Sequence, residues 1–168
     1  QPQYIPWIPY YSKIAHSDVF VFLDCVQFQK NGIQNRNELK NGNGRFWLTI
    51  PVSVKMGDRI IDVRTANDAW IEKHTRSVNM NYSRAENAAY FEEHIVSILK
   101  GSDGSLADLS INIIKTISTD YFDLDTSFVR QSELNVTGSS SELLLSICKE
   151  LKADIYLSGP GGRSYLDD

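Results

Sequence analysis

The chain has 168 residues, of which 42% are hydrophobic and 23% are charged, and its formal net charge is −4. This composition is typical of one packed globular domain and excludes an extended disordered chain. The positive charges are scattered without a basic face, so no nucleic-acid partner is predicted. The sequence has no apolar run long enough for a membrane span and no signal-peptide pattern, so we expect a single domain in the cytoplasm.

The beginning of the chain predicts a loop, a short helix and a buried strand. Residues 1–9 (QPQYIPWIP) contain three of the five prolines. Because proline fixes φ and lacks an amide donor, this segment is expected to be a loop. A short helix is predicted across Tyr10–His16. The apolar run within Asp18–Asp24 (DVFVFLD) is typical of a strand that is covered on both faces.

Two further apolar segments predict a β-hairpin around residues 46–64. Phe46–Val54 and Asp58–Arg64 flank the turn Lys55-Met56-Gly57, so the chain is expected to reverse direction there. Pro51 cannot donate to a strand ladder, which places the first of these strands at an edge or a bulge.

Three helices are predicted next. Asn67 or Asp68 is a suitable cap for a helix that begins near Ala69. A second helix is predicted over Glu86–Leu99. A third begins after Ser105, because apolar residues recur there at spacings of three and four. These apolar residues are Leu106, Leu109, Ile113 and Ile117.

The last part of the chain predicts a βαβ unit. Phe128–Gln131 is a strand candidate, Ser139 and Glu142 match a capping box at the start of a helix, and Asp154–Ser158 (DIYLS) is a second strand. Strands connected in this way lie parallel. We therefore expect an α/β fold with a mostly parallel sheet flanked by helices, and with the β-hairpin around residues 46–64.

The glycine-rich segment that follows (SGPGGRSYLDD) is the first candidate for a ligand site. Ligands of α/β sheets bind beyond the carboxyl ends of the strands, and glycines there let backbone N–H groups approach an anion. The alternative is a tight turn that only redirects the chain. The substrate-binding residues predicted here are Gly159, Gly161, Gly162, Arg163 and Tyr165.

Two other loops supply further candidates. The amide-rich loop, residues 27–37, offers side chains that both donate and accept hydrogen bonds, as sugars require, although a solvated loop has the same composition. The N-terminal loop, residues 1–9, offers aromatic rings that stack on a base or a sugar, or that cover the core. The substrate-binding residues predicted in these loops are Gln1, Tyr4, Trp7, Gln27, Asn35, Arg36 and Asn37.

Two residues are candidates for catalytic proton transfer. His74 is chosen because an imidazole titrates near neutral pH, and Asp24 because a carboxylate at a strand end can act as a base. The alternatives are a structural histidine and an acid that caps the adjacent loop. The histidines lack metal-binding spacing and the two cysteines form no CxxC motif. No metal site is therefore predicted, and the cofactor is left open.

Several of these segments together resemble the WbqC-like protein family. They are Q-P-Q-Y-I-P-W, K-I-A, D-V-F-V-F-L-D-C-V-Q-F-Q-K, N-R-N, W-L-T-I-P-V, the W-x-x-x-H of residues 70–74, and Y-L-S-G-P-G-G-R-S-Y-L-D. The resemblance covers essentially the whole chain, although Pro9 stands where a glycine is usual. It implies that residues 1–168 lack an N-terminal strand, a histidine before Gln1 and a C-terminal segment of the full-length protein.

The resemblance also implies a role in clusters for bacterial O-antigen and other surface polysaccharides, where some similar proteins have been proposed as glycine transferases. We therefore expect a group-transfer enzyme with a small-molecule substrate, either a nucleotide-activated amino-sugar or an amino-acid donor. One alternative is a non-catalytic module for nucleotide-sugar binding or assembly. Another is an ATP-dependent acid-activating ligase, by analogy with nucleotide-alpha-hydrolase folds.

Overall fold

The computed structural model describes residues 1–159, in which one helix, five short strands and four helices are followed by a sixth strand and a last helix. The helices are α1 (Ile8–Ala15), α2 (Ala69–Tyr82), α3 (Ala88–Tyr90), α4 (Val96–Lys100), α5 (Leu106–Thr116) and α6 (Ser140–Glu150). The strands are β1 (Val19–Phe22), β2 (Arg36–Asn41), β3 (Gly44–Thr49), β4 (Val52–Ser53), β5 (Arg64–Thr65) and β6 (Ser127–Arg130). The predicted α/β class is confirmed. None of the helices in residues 1–159 has the length and apolar character that crossing a membrane requires.

The strands of the described residues form three separate pairs. β1 and β6 run parallel, with Phe22 opposite Arg130. The pairs β2–β3 and β4–β5 are antiparallel. The strand expected over Asp154–Ser158 is not formed. Ile155 is 86% exposed and Tyr156 and Leu157 are each 46% exposed, so this segment buries little of the apolar surface that would stabilise a strand.

The hairpin region around residues 46–64 differs in detail from the prediction. β3 pairs with the preceding strand β2, because Gly42 and Asn43 form a tight turn between them. Gly44, directly after the turn, has a φ of +129°, which glycine adopts without strain. After Pro51, β4 pairs antiparallel with β5, so the chain does reverse direction between Val52 and Thr65. Within Asp58–Arg64 the chain makes a 3-10 turn at Ile60–Asp62, and its amides bond to the loop after β1 instead of to a strand.

The three helices predicted over residues 67–117 are present. Asn67 accepts a hydrogen bond from the amide of Ala69 at the start of α2 (3.1 Å). The second runs from α3 through a π-helical turn at Phe91–Ile95 into α4. At α6, by contrast, Ser139 occupies the predicted cap position without making the capping hydrogen bond.

Helix α5 lies between two hydrophobic clusters. Leu106, Leu109 and Ile113 face the larger cluster, which also contains side chains of the N-terminal loop, β3, α2 and α4. Ile111 and Ile114 face the smaller cluster, which α1, β1 and β6 complete. This central helix therefore fixes the position of the parallel strand pair relative to the N-terminal loop.

The cap of α5 provides a stability prediction. Ser105 Oγ accepts a hydrogen bond from the amide of Asp108 (3.3 Å) at the start of α5. Ser105→Ala is expected to lower the free energy of unfolding by about 1 kcal/mol, because a helical amide loses its acceptor. Urea denaturation measures the loss. Ser97→Ala removes an exposed hydroxyl from a helix interior and should change the stability by less than about 0.5 kcal/mol. Equal losses in the two variants would contradict the capping role.

Candidate functional site

The carboxyl ends of β1 and β6 are connected by a buried ionic network. Asp24 follows β1 and has no exposed surface. Its carboxylate accepts hydrogen bonds from Arg130 Nε at the end of β6 (2.8 Å), from Ser132 Oγ (2.7 Å) and from the Ser132 amide (3.0 Å). Arg130 also forms an ion pair with Asp108 on α5. The guanidinium group therefore links both strands of the parallel pair to the central helix.

The electrostatics of this network keep Asp24 ionised. Burial by itself would raise the pKa of Asp24, but the hydrogen bonds from Ser132 and Arg130 outweigh it and lower the pKa below its usual value. The same ion pairs raise the pKa of Arg130 against the opposing effect of burial. Asp24 is thus a carboxylate whose two oxygens are both occupied by protein donors.

His74 lies in the core with both ring nitrogens bonded. Nε2 is 3.2 Å from the Thr49 carbonyl oxygen, which can only accept, so Nε2 carries the proton. Nδ1 then accepts from the Tyr4 hydroxyl at 3.0 Å. Burial lowers the pKa of His74 to about 4 and raises the pKa of Tyr4 above its usual value. The imidazole is therefore neutral at pH 7, and it connects the N-terminal loop to β3 and α2.

The N-terminal loop and the amide-rich loop are in direct contact. The buried side chain of Gln34 donates to Gln1 Oε1 (2.7 Å) and accepts from the Gln29 amide (2.7 Å). Asn37 Nδ2 donates to the Ile5 carbonyl oxygen. Contacts between residues that are 33 and 32 positions apart in sequence thus join the two loops into one surface.

Beside this contact lies an open groove, here called the tryptophan groove, with a volume of about 740 Å³. Its walls include Trp7 of the N-terminal loop and Trp47 of β3, which are 67% and 49% exposed. The Arg36 guanidinium stacks on the Trp47 ring at 4.4 Å. The other lining residues are Gln3, Ile33, Asn37, Glu38, Leu39, Lys40, Gly44 and Arg45.

The start of the glycine-rich segment lies beside α1. A Cβ atom placed on Gly159 would be 3.8 Å from Lys13 Nζ, so the ammonium group is next to this glycine. The Gln1 carbonyl oxygen accepts a hydrogen bond from the Tyr10 hydroxyl of α1 (2.9 Å), and Lys13 Nζ lies 5.8 Å from the centre of the Tyr10 ring. Gly159, Lys13 and Gln1 therefore lie around α1, which packs with β1 in the smaller cluster.

The structure brings together some of the predicted site residues and separates others. Gln1, Trp7, Arg36 and Asn37 lie on the joined loops. Tyr4 and Asn35 are instead buried, with Asn35 Nδ2 donating to the Ile50 carbonyl oxygen (2.8 Å), and Gln27 forms a backbone bridge with Arg59. Asp24 and His74 belong to different hydrogen-bond networks. The predicted residues Gly161, Gly162, Arg163 and Tyr165 lie outside the described residues.

Three side chains of the candidate site, Trp47, Arg130 and Lys13, were not among the predicted site residues. Trp47 follows from strand alternation, because Phe46 and Leu48 face the core and leave the ring between them outside. A charge at the end of the apolar run before Gln131 was the available signal for Arg130. Lys13 gave no signal, since its neighbour at Gly159 is more than a hundred residues away. Within residues 1–159, His, Cys, Asp and Glu side chains form no group of three that could hold a metal ion.

Comparison with known proteins places these observations in a family. The family model described as the WbqC-like protein family matches residues 1–168. The chain is also similar to "Uncharacterized protein Rv1507c" of Mycobacterium tuberculosis, with 30% identity over 171 residues that cover 100% of this chain and 74% of the relative. No solved structure matches the chain.

Proposed function

The chain belongs to the WbqC-like protein family, and on that premise we propose that it is a cytoplasmic group-transfer enzyme of surface-polysaccharide (O-antigen) biosynthesis. Its proposed substrate is a nucleotide-activated amino-sugar, and its partners are small molecules and not nucleic acids. Glycine is the transferred group to test first. The negative net charge and the scattered cations agree with a small anionic ligand better than with a nucleic acid.

The observation that carries the proposal is the position of Lys13 beside Gly159. A diphosphate is bound by backbone N–H groups together with a cation. Gly159, the first glycine of the glycine-rich sequence, lies next to the exposed ammonium group of Lys13, and in this proposal the glycines that follow in the sequence supply the N–H groups. β1 packs with α1 in the smaller cluster, and the carboxyl ends of strands are where α/β sheets bind ligands. The proposed site therefore receives the diphosphate between α1 and the glycine-rich segment.

The remaining predicted residues take supporting roles in this proposal. Gln1, Gln34 and Asn37 hold the two joined loops in place beside α1. All the polar atoms of the Asp24 and His74 side chains are bonded within the protein. We therefore propose that Asp24 holds the strand end in place and that His74 holds the N-terminal loop.

The test compares two lysine variants in ligand binding. UDP- and dTDP-linked amino-sugars should raise the melting temperature, because they bind only the folded state. Lys13→Ala is expected to weaken this binding by about tenfold or more, since a charge-assisted contact with phosphate is lost. Isothermal titration calorimetry measures the affinity. Lys73→Ala removes an exposed lysine from α2 and should bind like the parent protein.

Other outcomes favour the alternatives. Equal affinity of the Lys13→Ala variant and the parent would overturn the placement of the diphosphate. A melting temperature that rises with ATP and a carboxylic acid, but not with nucleotide-sugars, would favour an acid-activating ligase. Binding without turnover of glycine and amino-sugar in the intact protein would favour a non-catalytic module.

A further inference from the structure

The residues that line the tryptophan groove do not include Lys13 or Gly159, where the proposed function places the diphosphate. Its two indole rings come from the N-terminal loop and from β3. Asn37 of β2 donates a hydrogen bond to the N-terminal loop, and β2 pairs with β3, so the two rings are held on connected elements. Ile33, which is 50% exposed, adds apolar surface. Large aromatic side chains normally bury most of their area, so two exposed indoles on one groove indicate a binding surface.

The charges on the groove do not favour a phosphate. Arg45 is paired with Glu38 at 3.1 Å, which compensates its charge. Arg36 lies against the Trp47 ring and donates to the Asn31 carbonyl oxygen. Among the lining residues, all of which the structure describes, Lys40 is the one cation without an ion pair. One exposed ammonium group binds a diphosphate more weakly than a set of several hydrogen-bond donors does.

The chemistry of the lining instead suits a neutral ring with polar edges. An apolar surface with a few convergent polar groups is the usual composition of a small-molecule site. A pyranose ring has one face of C–H groups that packs on an indole, and its hydroxyls meet amides and charged side chains at the edge. Asn37, Gln3 and the Glu38–Arg45 pair lie within the same groove as the two indoles.

We propose that the tryptophan groove binds an uncharged saccharide, with Trp7 and Trp47 as the stacking surfaces. This inference goes beyond the proposed function and does not depend on it, because no nucleotide or glycyl group is involved. Arg36 acts here as a positioning residue, since its guanidinium covers one side of Trp47 and leaves the other side of the indole for the ligand.

The experiment uses N-acetylglucosamine trimer and maltotriose as probes. Binding should protect tryptophan fluorescence from acrylamide, because Trp7 and Trp47 are exposed whereas Trp70 is buried at 4% exposure. Trp7→Ala and Trp47→Ala are each expected to weaken binding of at least one probe by about tenfold. Trp47→Phe should recover part of this loss, since a flat ring remains. Met56→Ala removes an exposed apolar side chain outside the groove and should bind like the parent protein.

The outcomes separate this inference from the proposed function. Saccharide binding that persists in excess UDP and in Lys13→Ala supports a separate neutral site, whether or not nucleotide-sugars bind. Absence of binding of both probes to the intact protein, or equal binding by the parent and both tryptophan variants, overturns the inference. Displacement of the trisaccharide by UDP also overturns it. So does self-association that depends on Trp7 and Trp47 in analytical ultracentrifugation without saccharide binding, because the groove would then be a contact between copies of the chain.

Discussion

Replacing Arg130 with methionine is expected to lower the free energy of unfolding by about 3–5 kcal/mol, because the change leaves the carboxylate of Asp24 buried without its counter-ion. The Asp24 side chain is 0% exposed and that of Arg130 is 21% exposed, so water replaces the lost guanidinium poorly. Ser132 continues to donate to the carboxylate but carries no charge. Guanidinium chloride denaturation followed by circular dichroism measures the loss.

Two comparisons make this expectation specific to the buried pair. Arg76→Met breaks an exposed ion pair with Glu72 and should cost less than about 0.5 kcal/mol. The double variant Asp24→Asn/Arg130→Met removes both charges and should be more stable than Arg130→Met alone. If the single variant does not fold, a folded double variant shows that the unpaired carboxylate, and not the missing arginine side chain, causes the loss. A loss below about 1 kcal/mol in Arg130→Met would show that the carboxylate is stabilised in another way.

The second large effect is a dependence of stability on pH that His74 causes. The pKa of His74 is about 4 in the folded protein and 6.5 as the ordinary value. As the pH falls from 6.5 to 4, the unfolded chain takes up a proton that the folded protein does not. Stability therefore decreases in this window, by about 3 kcal/mol from His74 alone once the pH is below 4.

The variant His74→Gln tests the assignment. Glutamine does not titrate, so the parent protein should lose about 3 kcal/mol more than this variant when the pH is lowered through the window. At neutral pH the variant itself should be less stable by about 1–3 kcal/mol, because the hydrogen bonds to Tyr4 and Thr49 are disturbed. His16→Gln changes an exposed histidine and should keep the pH dependence of the parent. Identical pH profiles of the parent and His74→Gln would contradict the buried neutral imidazole.

The sequence was most informative where one periodic pattern decides the structure. The apolar stripe from Leu106 onwards and the cap at Ser105 give α5 its start, and the run Val19–Phe22 gives β1. Strand β2 was missed because RNELKN lacks the β-branched and aromatic residues typical of strands. Its pairing with β3 comes from the two-residue turn Gly42-Asn43, which was the available local signal. At residues 154–158 the composition favours a strand, but pairing needs a neighbour that composition does not reveal.

The candidate site also depends on contacts that local sequence patterns do not reveal. Of the aromatic residues of the N-terminal loop, Trp7 is exposed, whereas Tyr4 faces the core. Proline-rich segments have no periodicity, so the sequence did not show which of the two rings points outwards. The pairing of Asp24 with Arg130 joins residues that are 106 positions apart. Such a contact depends on the topology, which single-sequence patterns do not specify.

Helix α5 has a consequence for how mutations spread through the molecule. Its residues belong to both hydrophobic clusters, and Asp108 joins it to the ion pair at the end of β6. A side chain lost from either cluster therefore shifts the same helix. Substitutions at Tyr4 and at Phe22 would both affect the packing of α5. Their effects on the free energy of unfolding are therefore expected to be coupled and not additive.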